Sequence, residues 1–207
     1  MKIRSSLISM TAILTASLLS FPAFAQDGAA DADEAAKPYE GGSYTIVPPA
    51  SWMQVSGTLG EKELSQLPGN IREHFSQRNT DVLFLKKDPD RPKAGFINNL
   101  NIVIINEEII LTDEVINEMT PILKQQYDSM FKPFNIEVME KRPFNDKEAL
   151  YVKGNYTVLN YSITMEQFLI ASGSAKESLV LSCTYETETG KEDAEACVNA
   201  IKSIKFK

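Results

Sequence analysis

Metal-seeking side chains and positive charge are what this sequence has least of. It holds one histidine, His74, and two cysteines, Cys183 and Cys197. A single imidazole excludes a multi-histidine metal centre. A Ser–His–Asp arrangement would have to assemble around His74 on no recognisable motif, so His74 reads as a surface helix residue. The C-x13-C spacing of the cysteines matches neither C-x-x-C nor a zinc pattern. The chain contains no G-x-S-x-G, no H-E-x-x-H, no phosphate-binding glycine loop and no glycine-rich dinucleotide turn. Basic residues number 21 against 28 acidic ones, a net charge of −7. Binding to nucleic acid rests on phosphate neutralisation by clustered Lys and Arg, so that class of partner is excluded, and an anionic membrane surface with it. No residue is assigned a catalytic, cofactor-binding or metal role, and no cofactor is expected.

Long apolar runs are scarce too, and the one at the N-terminus has the form of an export signal. A basic start at Lys2 and Arg4 precedes an apolar segment from Leu7 to Phe21, then the small residues Ala23 and Ala25, which predicts cleavage between Ala25 and Gln26. Thr11 and Ser17 interrupt the segment and Pro22 closes it, short of the roughly 20 apolar residues of a spanning helix. The first cysteine in the chain is Cys183, so no thiol is available for lipid attachment at the cleavage point. The mature chain is expected to be periplasmic or secreted, with no membrane span. Loss of the signal removes Lys2 and Arg4 and no acid, taking the net charge from −7 to −9.

In an oxidising compartment two cysteines are read as a disulfide. In an alternating strand Cys183 shares a face with Leu179, Leu181 and Tyr185. In a following helix Cys197 sits beside Val198 and one turn before Ile201, with Ile204 next at helical spacing. Both sulfurs then face one sheet–helix interface, and closing a loop of this size stabilises by about 3 kcal/mol in the chain-entropy model.

Residues 26–42 are rich in Ala, Asp, Glu and Gly and poor in large apolar side chains, so a disordered leader is expected there. Its acids Asp27, Asp31, Asp33 and Glu34 are read as a spacer, since calcium would need convergent oxygens from an ordered loop. A single domain is expected over 43–207. It opens with a strand at Ser43–Val47, stopped by Pro48-Pro49, and a second short strand after Trp52, which is read as a core plug. Helix formers from Glu61 to Gln77, broken at Pro68-Gly69, predict two short helices. Asp81–Lys86 and Phe96–Asn106 form a hairpin around the loop Asp88–Gly95. Apolar residues on both faces mark the second of these strands as central.

Thr112 is a candidate N-cap with Asp113 and Glu114 in the first turn. Val115, Ile116, Met119, Ile122, Leu123, Tyr127, Met130 and Phe131 then recur at helical spacing in the longest amphipathic run. Pro121 inside it is expected to kink the helix, or to restart it with Thr120 as a second cap. Four strands follow, Ile136–Lys141, Ala149–Leu159, Ser162–Ala171 and Leu179–Glu186, and the short connections allow only antiparallel hairpins between the last three. The class is α+β, a central antiparallel sheet of about six strands sandwiched by helices.

Several local words follow one another in a familiar order. They are Tyr44-x-Ile46 leading to Pro49-x-x-Trp52, the strand Asn101-Ile102-Val103-Ile104, the long helix, Gly154-x-Tyr156, Leu181-x-Cys183-x-Tyr185, and Ile201-x-x-Ile204-x-Phe206. In that order the chain resembles the PsbP-like proteins, which include the extrinsic PsbP subunit of photosystem II, DcrB-like bacterial envelope proteins and the Mog type. The resemblance covers Ser43 to Lys207. It implies an αβα sandwich and a non-enzymatic role in binding or stabilising another protein. It carries over no functional residue, and the acidic leader does not match the N-terminal segment behind the photosynthetic members' cofactor retention. The expected function is a protein-interaction or stabilising module whose partner is another envelope protein. The alternative is a carrier of a small apolar or lipidic ligand between the long helix and the sheet, suggested by Met119, Met130, Phe131 and Phe134. The surfaces of first interest are the loop Asp88–Gly95 and the exposed face of the long helix.

Overall fold

A computed structural model describes residues 37–56, 80–86, 96–131, 133–158, 160–171 and 177–207. Its elements run β1 (Tyr39–Glu40), β2 (Tyr44–Ile46), β3 (Trp52–Ser56), β4 (Thr80–Lys86), β5 (Asn99–Ile105), α1 (Asp113–Met130), β6 (Phe134–Phe144), β7 (Lys147–Val158), β8 (Tyr161–Ala171), β9 (Ser178–Glu186), α2 (Lys191–Lys202) and β10 (Lys205–Phe206). Seven strands form an antiparallel sheet in the order β3-β4-β5-β9-β8-β7-β6, and a separate three-stranded sheet has the order β1-β2-β10. The α+β class stands, with seven strands in the main sheet where the sequence suggested about six.

The last strand of the main sheet lies at its centre. β9 pairs with β5 on one side and β8 on the other. Every residue from Ser178 to Tyr185 is buried, because both faces of a central strand are covered. On one face, Met119, Leu123 and Tyr127 of α1 pack onto Val103, Leu150, Val152, Ile163, Met165, Leu169 and Val180. On the other, Cys197, Ala200 and Ile201 of α2, followed by Ile204, pack onto Leu100, Ile102, Ile170, Leu179, Leu181 and Cys183. The helices therefore lie on opposite faces of the sheet. Tyr44 and Ile46 bring the small sheet onto the α2 side.

Three expectations change. Ordered strand begins inside the stretch read as a leader. Tyr39 and Glu40 pair with Ile46 and Thr45, and the Tyr39 ring packs on Tyr44 and Phe84. One aromatic ring gave this short strand an anchor that the surrounding composition concealed. α1 runs unbroken through Pro121, so Thr120 caps nothing; its hydroxyl donates to the Ile116 carbonyl at 2.8 Å. The carbonyl that Pro121 leaves without an amide partner belongs to exposed Asn117, where water can take the bond. β6 is longer than expected and includes Pro143. It is an edge strand, the place in a sheet that tolerates proline. The Thr112 cap holds as read, its hydroxyl accepting from Val115 N–H at 3.2 Å.

Two tight turns depend on asparagine. Asn145 and Asn160 carry positive φ, 53° and 71°, in the β6–β7 and β7–β8 connections, and asparagine tolerates this left-handed conformation better than most residues.

Candidate functional site

The two faces of the sheet differ in chemistry, and the alternation along β7 and β8 sets the difference. Leu150, Val152, Gly154 and Tyr156 of β7, with Ile163, Met165, Gln167 and Leu169 of β8, all point towards α1 and are all buried. Here Tyr127 stacks on Phe134 with ring centroids 4.5 Å apart, and Phe131 lies 4.0 Å from Tyr156. Gly154 lets Phe134 in, since a Cβ at that position would stand 2.5 Å from the Phe134 ring. Three of the residues suggested as a ligand lining, Met119, Phe131 and Phe134, are thus packed core; the Met130 side chain lies outside the described residues. The same interface holds a polar chain. Tyr127 O–H donates to Gln167 Oε1 at 2.7 Å, and Gln167 Nε2 donates to Ser182 Oγ at 2.7 Å. Burial pushes the Tyr127 and Tyr156 hydroxyls well above the ordinary phenol range.

The opposite face is half open. α2 and the small sheet cover its β4, β5 and β9 side. Over β6 to β8, Val138, Arg142, Lys153, Asn155, Glu166 and Phe168 are half-buried, and Glu140, Thr157 and Ser162 are exposed. At the centre of this area Glu166 takes a hydrogen bond on each carboxylate oxygen, from Tyr185 O–H at 2.6 Å and Tyr151 O–H at 2.7 Å. The Arg142 guanidinium sits over the Tyr151 ring at 3.9 Å and pairs with Glu140. Phe168 lies 4.9 Å from Tyr151 and 5.7 Å from Phe144. Desolvation first, then the Glu166 bond and charge, raise the pKa of Tyr151 and Tyr185. The hydrogen bond that Arg142 donates to Glu140 leads the causes that raise the pKa of Arg142. The area can therefore offer a fixed carboxylate, a stacked guanidinium and a half-exposed phenyl ring on rigid strands. The neighbouring edge is guarded against strand addition: β6 has a register break between Ile136 and Val138, a proline, and charges of both signs at Glu137, Glu140, Lys141 and Arg142.

The two cysteines meet where the sequence placed them. Cys183 and Cys197 form a disulfide with Cα atoms 6.2 Å apart, and both are fully buried within the α2-side core. A second link holds the start of α2. Asp193, in the first turn of the helix, accepts from Lys86 Nζ at 2.8 Å and from Asn98 Nδ2 at 2.5 Å. Its side chain is 8% exposed against 38% for the lysine, so the helix dipole and both donors together compensate a largely buried carboxylate.

Trp52 sits half-buried on edge strand β3, against the α2-side core. The cleavage pair Ala25 and Gln26, the acids Asp27 to Glu34, His74 and the loop Asp88–Gly95 all lie outside the described residues. The outer face of α1 is exposed at Asp113, Glu114, Asn117, Glu118, Pro121, Lys124 and Gln125, an acidic surface with Lys124 paired to Asp128 at 3.5 Å. Sequence reasoning missed Glu166, Gln167 and Asp193, because each is one polar residue in an ordinary pattern and only strand register brings its partners to it. Among the described residues no group of three His, Cys, Asp or Glu side chains is placed to hold a metal ion. Among them, too, no helix is long and apolar enough to cross a membrane.

A seven-stranded antiparallel sheet between helices, with β9 at its centre followed by the helix α2, is a PsbP-like fold. The chain is similar to the solution structure of cyanobacterial PsbP (CyanoP) from Synechocystis sp. PCC 6803. Identity is 11% over 87% of this chain and 99% of that one, with a TM-score of 0.53. A crystal structure from Bacteroides thetaiotaomicron VPI-5482 matches with 13% identity over 84% of this chain and 49% of that chain, TM-score 0.49. LpqN, involved in cell envelope biogenesis of Mycobacterium tuberculosis, matches with 14% identity over 82% and 89%, TM-score 0.47. No protein-family model matches the sequence, and no curated protein matches it.

Proposed function

We propose that this protein is a non-enzymatic, exported module that binds or stabilises another protein of the cell envelope through a surface. The half-open face over β6 to β8 carries this reading. An antiparallel sheet can leave one face to water, but this one presents Arg142 of β6 with Glu166 and Phe168 of β8 in a fixed arrangement around Tyr151 of β7. Arginine and aromatic residues are those most enriched in protein–protein contacts. The export signal and the buried disulfide support an oxidising destination.

The test places a photo-activated cross-linker at Lys153 or Glu140 in the full chain, expressed in its own envelope, with Gln125 on α1 as the control position. Adducts to one defined protein from the sheet positions and not from Gln125 are expected. Adducts from α1 alone, or from none of the three, would remove this surface from consideration. N-terminal sequencing of the mature protein tests export, with Gln26 the expected first residue.

The carrier alternative would have to open the ring contacts among Tyr127, Phe131, Phe134 and Tyr156. Solvent extraction of the purified protein followed by mass spectrometry addresses it directly: a stoichiometric lipid or apolar molecule would favour the carrier.

A further inference from the structure

The α1-facing side of the sheet contains an island of uncharged polar side chains. Register fixes its layout. One row across the strands reads Leu85, Asn99, Thr184, Met165, and the next reads Leu83, Asn101, Ser182, Gln167, Val152. Asn99, Asn101, Gln167, Ser182 and Thr184 are all buried, Asn99 and Thr184 to 0% exposure, inside an apolar rim of Leu83, Leu85, Met165 and Val152. Gln167 and Ser182 are satisfied through Tyr127. Asn99 and Thr184 are not: Asn99 Oδ1 and Thr184 Oγ have no hydrogen-bond partner.

These two residues face each other directly across β5 and β9, a relation that places Cβ atoms about 5 Å apart on the same face. The Asn99 amide N–H2 already donates to the Ile97 carbonyl at 3.0 Å, so its oxygen remains as a pure acceptor. The threonine hydroxyl can give or take a proton. Buried polar atoms are almost always bonded, and two neighbouring exceptions at the centre of a sheet point to a shared partner. That partner must donate to Asn99 and can accept from the Thr184 hydroxyl. No side chain in the island is charged, so nothing there would offset an ion. The chemistry that fits is one neutral O–H group.

We propose that Asn99 and Thr184 form a binding position for a single neutral hydroxyl, supplied by a bound water or by a small polyol. Crystals grown without polyol, and a second set soaked in ethylene glycol, test it and separate the two sources. The expected result is density within hydrogen-bond distance of both Asn99 Oδ1 and Thr184 Oγ in the polyol-free crystals, where it is water. Retention of that water on soaking assigns the position to water, and its replacement by glycol assigns it to hydroxylated ligands generally. Glycol in soaked crystals with no density in polyol-free ones is an adventitious additive only, and overturns the proposal. So does an empty position in both, or a side chain of the protein itself bonded to the two atoms.

Thr184→Val gives an independent readout in solution. It keeps the shape of the side chain and removes the hydroxyl. A bridged hydroxyl predicts a Tm lowered by about 2–4 °C, and an unchanged or raised Tm shows that the hydroxyl had no partner to lose.

Discussion

Raising the pH should unfold this protein cooperatively through its tyrosines. Of the seven tyrosines in the chain, Tyr44, Tyr127 and Tyr156 are deeply buried and held well above the ordinary phenol range, chiefly by desolvation. Tyr44 also donates to Asp81 at 2.5 Å, a bond that a phenolate cannot make. Tyr39, half-buried beside it, is pushed up to about 12 by desolvation and by Asp81. Because the folded state keeps these protons where the unfolded chain, with a pKa of about 10, loses them, the stability they contribute is complete below about pH 10. It is lost as pH rises through the folded values. At pH 11 each fully protected ring has lost about 1.4 kcal/mol, so the three deep ones account for about 4 kcal/mol. Tyr151 and Tyr185 lie closer to solvent on the open face, so screening holds their joint addition below the roughly 3 kcal/mol that two fully protected rings would give. Against a domain stability of about 5–15 kcal/mol, the unfolding midpoint should fall between about pH 11 and 12. The assay follows phenolate absorbance and far-ultraviolet circular dichroism in one alkaline titration, and most of the phenolate should appear in step with loss of the sheet signal. Smooth ionisation of all seven rings near pH 10 with the sheet intact would refute the reasoning.

Replacing Cys183 and Cys197 together by Ala should cost about 3 kcal/mol by loop entropy, a Tm drop of about 6–12 °C, measured by calorimetry; free thiols titrating in protein isolated from its native compartment would contradict the pairing. Asp193→Ala removes the carboxylate that Lys86 and Asn98 share and should destabilise by about 3 kcal/mol, read from the denaturation midpoint at an unchanged m-value. Gly154→Ala drives a methyl to within 2.8 Å of the Asn135 carbonyl and closer still to the Phe134 ring. It should cost about 1–3 kcal/mol and, in near-ultraviolet circular dichroism, disturb the aromatic signal while the far-ultraviolet spectrum stays unchanged.

The features legible in the sequence are those that periodicity carries. Cys183 shares its face with Leu179, Leu181 and Tyr185 because side chains alternate along any strand, and Cys197 falls with Ile201 because a helix repeats at 3.6 residues; both assignments needed only local spacing. The position of β9 at the centre of the sheet could not be read the same way. It depends on β5 crossing to pair with a strand more than seventy positions later in the chain, and no local pattern records which hairpin edge meets which. The same gap hid the polar residues that give the surfaces their chemistry. Gln167 in β8 and Ser182 in β9 look like routine interruptions of apolar runs until register sets them opposite each other beneath Tyr127. Glu166 reads as a solvent-facing residue until Tyr151 and Tyr185 converge on it from the strands on either side. Alternation does place Gln167 and Glu166 on opposite faces, so one pair of adjacent residues supplies the buried network on one side of the sheet and the clamped carboxylate on the other. A one-residue slip of β8 would exchange them, burying a carboxylate under α1 and turning the glutamine to water. That cost fixes the register of β8, and with it the arrangement of the open face.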